Sequence, residues 1–238
     1  MHTESIAYEA AGKSLTGFLA KPLKLSGRTP GILVCHQGMG LNNHTRTQTR
    51  KLAELGYVAL ALDMYGELGT SREHVTAMMA ALADNPDQKR ARLNAGIDLL
   101  KSQSGVDPSR LAAIGHCYGG GLVLELARLR QDIAAVVAFH PGLMDQVEVD
   151  DRPVNAKVLV CAGYHDPLIP ASARERLIKL MSDQSADWQL ITYGKAGHSF
   201  SDESVAAFGM DGFEYDQDTD ARSWAAMRAM LDECFPQA

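Results

Sequence analysis

Five short runs limit what this chain can fold into: "GILVCH" (31–36), "YVALALD" (57–63), "RLAAIG" (110–115), "IAAVVAF" (133–139) and "KVLVCAG" (157–163). They are short and mostly apolar, and "GILVCH" is apolar almost throughout, which is how a strand reads when both of its faces are covered. The stretches around Thr45–Leu55, "REHVTAMMAALAD", "DQKRARLNAGIDLLKS", "GGLVLELARL", "SARERLIKLM" and "DARSWAAMRAMLDEC" read as helices. The three-and-four spacing of a helical face is plainest in the second and third of these. Residues 3–8 and 14–20 are expected to pair as a hairpin around Gly12 and Lys13, and "WQLITYG" is a last strand. Strands alternating with helices predict an α/β fold with a mainly parallel sheet, helices on both faces, and ligands bound beyond the carboxyl ends of the strands.

At 238 residues, 46% of them hydrophobic, the chain can bury one large core, so residues 1–238 are read as a single domain. The formal charge of −6 comes without a basic cluster, so nucleic acid and anionic lipid are not expected partners and small molecules are. The first residues, "MHTESIAYEAAGKSLTG", are polar, and no apolar run approaches the roughly 18 residues of a membrane span. A soluble, cytoplasmic protein is the expectation. Cys35, Cys117, Cys161 and Cys234 stand far apart and read as free thiols.

One of those thiols lies in an unusual setting, "IGHCYGGG" (114–121), just past the strand "RLAAIG" and just before a helix. At a sharp strand-to-helix turn, side chains two positions before and two positions after the central residue would collide. Gly115 and Gly119 occupy those two positions around Cys117. The pattern is a nucleophile elbow with sulfur in place of the usual serine oxygen. The helix that follows would aim its N-terminus at the thiol and favour the thiolate.

A thiol with an ordinary pKa near 8.5 needs a base. His198 in "YGKAGHSF" follows the strand "WQLITYG", and Asp166 in "CAGYHDPLIP" follows the strand "KVLVCAG" and would orient that base. Nucleophile, acid and histidine then stand in the chain order of hydrolases built on such sheets. The oxyanion donors are expected to be the backbone amide of Tyr118, next after the nucleophile, and that of Gly38 in "CHQGMG". His36, His116, His140 and His165 also fall near strand ends, but no two have helical ligand spacing, so no metal is expected. Met39, Tyr65, Tyr164 and Phe200 read equally as pocket lining or core cover.

"IGHCYGG", "GYHDPLIP" and "AGHSF", with "ILVCHQGMGLN" and "YVALALDMYG", resemble the signature segments of the dienelactone hydrolase family, from about Gly31 to the last helix. The resemblance implies an α/β-hydrolase fold without a sizeable cap domain, and a Cys117, His198, Asp166 triad. It further implies hydrolysis of esters or lactones without metal or organic cofactor. Two positions depart from the family. The oxyanion-loop glutamate that contacts the resting thiol is replaced by Gln37, a candidate thiol-contacting or substrate-binding residue. The arginines that hold a substrate carboxylate have only Arg46 and Arg72 as candidates.

The expected activity is therefore acyl transfer to Cys117 through a thioester, on a small-molecule ester or lactone, by a monomer or homodimer. The chemistry also admits other activated esters, phosphotriesters among them. The alternative is a redox-sensing or ligand-binding protein on the same fold, with Cys35 as resolving thiol. The acid and histidine speak against it, since a sensor has no use for an oriented base.

Overall fold

The computed structural model describes residues 1–25, 27–130, 132–142 and 153–236. Its strands are β1 (His2–Ala10), β2 (Lys13–Lys21), β3 (Thr29–Cys35), β4 (Val58–Leu62), β5 (Val106–His116), β6 (Ala135–Phe139), β7 (Lys157–Gly163) and β8 (Trp188–Tyr193). The helices are α1 (Asn43–Glu54), α2 (Arg72–Ala83), α3 (Pro86–Lys101), α4 (Tyr118–Leu129), α5 (Ala171–Asp183) and α6 (Gln217–Cys234), with a short 3-10 turn at Val205–Phe208. The strand order is β1-β2-β4-β3-β5-β6-β7-β8. β1/β2 and β2/β4 are antiparallel, and β3/β4, β6/β7 and β7/β8 are parallel. This is the mainly parallel α/β architecture expected. The stretch between β6 and β7, where no sizeable cap is expected, lies largely outside the described residues.

The chain forms two compact units, Met1–Ala112 and Ala113–Ala238, divided within β5. In the first, α1 packs on β2, β3 and β4, and α3 on β1, β3 and β4. Ile32, Leu33, Val34, Leu60, Leu52, Leu93 and Ile97 are fully buried there, which explains why the strand runs carry no polar alternation. The hairpin turn is one residue earlier than expected. Ala10 pairs with Lys13, and Ala11 and Gly12 make the turn with φ of 51° and 71°. Two successive positive φ values match the right-handed twist of the strands, and here an alanine takes one of them.

In the second unit α4 packs on β6, and α6 on β6 and β7. Ala162, Ile169 and Ala173 join α5 to the end of β7. Helix α6 starts three residues before the sequence reading because Asp216 caps it, its side chain accepting from the Thr219 N–H at 2.7 Å. No helix among the described residues is long and apolar enough to cross a membrane.

Candidate active site

Cys117 sits between the last residue of β5 and the first of α4, with φ 52° and ψ −116°. A positive φ on a non-glycine residue costs free energy, and the surroundings hold it in place. The Cys117 N–H donates to the Phe139 carbonyl at 3.0 Å, and the Cys117 carbonyl accepts from Gly120 and Gly142 at 2.9 and 3.0 Å. A Cβ at position 115 would collide with the backbone of Gly119 and Gly120, which is the physical requirement behind the first glycine of the pattern. The thiol residue is partly exposed, whereas Cys35 and Cys161 are buried.

Asp166 and His198 come together by backbone-to-backbone approach. The His165 N–H donates to the Ala196 carbonyl at 3.0 Å, and His198 N–H to the Gly212 carbonyl at 2.7 Å. A Cβ on Gly163 would strike the carbonyls of Ala196 and Gly197, and one on Gly197 would strike that of Gly212. These glycines let the loops after β7 and β8 lie one on the other. The result is a buried pair in which His198 Nδ1–H donates to Asp166 Oδ2 at 2.7 Å. The other carboxylate oxygen accepts from the Leu168 N–H at 2.8 Å.

The second nitrogen of His198, Nε2, is buried without a regular hydrogen bond, and Cys117 is the polar neighbour that acts on this ring. Burial by itself works against a charged imidazole. A negative charge on Cys117 and its hydrogen-bonding sulfur, together with the bond to Asp166, outweigh that penalty and carry the His198 pKa up to about 10. Burial pushes the Cys35 and Cys161 thiols up to about 12. Both therefore stay protonated near neutral pH and are weak nucleophiles, which counts against Cys35 as a resolving thiol.

Gln37 and Gly38 lie in the first unit, in the loop after β3. The Gln37 carbonyl accepts from His36 Nδ1 at 2.5 Å and from the Gly40 N–H at 3.1 Å, and His36 Nε2 accepts from the Met64 N–H at 3.1 Å. Because the peptide is planar and trans, anchoring that carbonyl also fixes the direction of the Gly38 N–H, which points the opposite way. Gln37 is buried and its Nε2 has no hydrogen-bond partner.

The other strand-end histidines pack among rings and hydrogen-bond partners. His116 stacks on Phe139 with centroids 4.7 Å apart, His165 meets Tyr164 edge to face at 5.1 Å, and His140 Nε2 is hydrogen-bonded to Ser201 Oγ at 2.8 Å. No cluster of three or more metal-ligating side chains occurs among the described residues. Phe200 and Tyr65 are buried and serve as core cover, whereas Tyr164 is exposed. Arg46 lies over the Phe18 ring at 4.8 Å. The His140–Ser201 pair and the Gly163–Gly197 approach were not singled out from the sequence. The usable signal for His140 was its place directly after β6, a position equivalent to those of Cys117, Asp166 and His198 after their strands.

The family model for the dienelactone hydrolase family matches residues 15–235. The chain belongs to the dienelactone hydrolase family. Among solved structures it is similar to a protein named m3DLH, with 39% identity and a TM-score of 0.94, covering 98% of both chains. It is also similar to a dienelactone hydrolase-like promiscuous phosphotriesterase from metagenomic libraries, with 33% identity and a TM-score of 0.94 over 98% of both chains. A Bradyrhizobium relative described as a probable 2-oxo-3-(5-oxofuran-2-ylidene)propanoate lactonase is 28% identical over 224 residues, 87% of this chain and 90% of that protein. As a member of this family the chain is a hydrolase.

Proposed function

We propose that this chain hydrolyses small-molecule esters or lactones by acyl transfer, with Cys117 as nucleophile, His198 as proton carrier and Asp166 as the group that orients it. The observation that carries this reading is the buried Asp166–His198 pair, whose second nitrogen is left for a thiol held at a strained elbow. In this reading the resting site is a thiolate–imidazolium pair, and a negative Cys117 would in turn hold the His198 proton.

The thiolate attacks the carbonyl carbon, and the displaced electron pair goes to oxygen. The amide of Tyr118 receives that oxyanion in this reading, as the family pattern implies. Tyr118 opens α4, where the positive end of the helix dipole favours a developing negative charge. Collapse expels the alcohol, which takes its proton from His198 and leaves a thioester. Neutral His198 then removes a proton from water, hydroxide attacks the thioester, and thiolate and imidazolium are restored. The whole chain serves as one catalytic domain, and the scheme uses no metal or organic cofactor.

Activated esters, including phosphotriesters, belong to the proposed range, since a structure 33% identical to this chain bears that activity in its name. The test is a parallel assay of p-nitrophenyl esters, lactones and phosphotriesters with the wild type and Cys117→Ala. Turnover of esters or lactones that vanishes in the variant supports the reading, and equal turnover by both proteins overturns it.

A further inference from the structure

His140 is wholly buried and immediately follows β6 with a φ of 35°. Burying an imidazole is costly unless it is hydrogen-bonded, and a positive φ on a non-glycine residue adds a second cost. Of the four described non-glycine residues of the second unit with positive φ, Cys117, His140 and Ser199 fall on the elbow and on the loops after β6 and β8, and Ser185 follows α5. Strain collected in this way points to a shape maintained for a task.

The contacts of His140 show what that shape is. Its backbone N–H donates to the Cys161 carbonyl at 2.7 Å, which ties the residue to the end of β7. Its neighbours Phe139 and Gly142 make the backbone bonds that hold Cys117. Its ring meets the His198 ring edge to face, with centroids 5.1 Å apart at 70°, and the Phe200 ring at 5.0 Å. Its Nε2 is bonded to Ser201 Oγ at 2.8 Å, three residues beyond His198 on the same loop. The Phe213 ring, 4.6 Å from His198, is a further wall. His198 is therefore boxed by rings, while Asp166 fixes one nitrogen and the other is left for the thiol.

We propose that His140 is a positioning residue, a strut that joins the elbow's backbone clamp to the loop carrying the base and sets the plane of the His198 ring through its bond to Ser201. The proposal rests on the reading of Cys117 and His198 as nucleophile and base. A ring that merely filled space could be replaced by phenylalanine without consequence. A strut cannot, because phenylalanine keeps the ring contacts and loses the anchor.

The experiment compares His140→Phe, Ser201→Ala, the double variant and His140→Gln with the wild type. Ester kinetics are read together with the pH dependence of iodoacetamide labelling at Cys117, followed by peptide mass spectrometry. His140→Phe and Ser201→Ala should each lower kcat about tenfold with KM within about twofold, the size expected for loss of one orienting hydrogen bond. The double variant should be no slower than either single variant, and His140→Gln, whose amide can reach Ser201, should recover most of the rate. A less well placed imidazolium stabilises the thiolate less, so the labelling profile should move to higher pH. Wild-type kcat and an unmoved labelling profile in either single variant overturn the proposal, as does a loss confined to KM. If His140→Phe fails to fold, Ser201→Ala decides alone. If the wild type turns over no ester, the functional reading fails, while the labelling profile still tests the strut.

Discussion

His198 Nδ1–H donates to Asp166 Oδ2 across 2.7 Å, and neither side chain is reached by solvent. A carboxylate so placed fixes the tautomer of the ring, directs Nε2 away from itself and stabilises the imidazolium that forms when a thiol gives up its proton.

Removing that charge should act on the rate more than on binding. Asp166→Asn is expected to lower kcat by about 10²–10⁴-fold with little change in KM, because orientation and charge support matter most in the transition state. Steady-state kinetics on a p-nitrophenyl ester would place Asp166 among the substrate contacts instead if only KM rose.

The thiol itself should be dispensable for folding and indispensable for turnover. Cys117→Ala is expected to lower turnover by about a thousandfold or more, since it removes the proposed nucleophile from a partly exposed turn without opening a core cavity. The variant should retain the wild-type circular dichroism spectrum, which shows an intact fold. In the same preparation, prolonged chelation should leave wild-type activity intact and stoichiometric alkylation of Cys117 should abolish it.

The His198 proton gives a prediction for pH. Its pKa of about 10 in the folded chain lies above the ordinary value of 6.5. The stability it contributes is therefore fully present below about pH 6.5 and is lost as pH rises through 10. Burial opposes the charge, and a negative Cys117 is the strongest influence in its favour, so Cys117→Ser should shift the His198 titration to lower pH. Ring-carbon NMR of His198 across pH 6–11 reads this directly; an identical curve in both proteins would show that the thiolate does not act on the ring.

Gly115→Ala should destabilise the fold by about 2–4 kcal/mol, because the added methyl group meets backbone atoms of Gly119 and Gly120 that have no rotamer to escape into. Gly194→Ala is the control. Its Cβ would have nothing within 4 Å, and a change of no more than about 0.5 kcal/mol in urea unfolding is expected.

The strand runs and helical faces were legible because burial on two faces and a 3.6-residue period both leave a mark in linear order. The placement of Cys117, Asp166 and His198 at carboxyl ends of strands was legible for a related reason, and Cys117 lies between glycines that a strand-to-helix turn requires. The hairpin turn was misplaced by one residue because Ala11, an ordinary residue by type, takes the positive φ expected of glycine. Helix α6 was started too late because the capping aspartate lies in an acidic run, "YDQDTDAR", where several residues could serve. The bond between His140 and Ser201 spans 61 positions, and residue type alone does not name a partner at that distance.

The close approach of Gly163 to Gly197, and of Gly197 to Gly212, also bears on how such an enzyme can change. The spacing between Asp166 and His198 is set where side chains are missing, so almost any substitution there enlarges the gap and no compensating side chain can close it. Variation that preserves the reaction is thereby channelled to the outward-facing residues of the same loops, such as Tyr164 and Leu168, both exposed beside Asp166. A library confined to those positions should yield altered substrate preference from a high fraction of folded clones, whereas one that includes the three glycines should consist mostly of inactive protein.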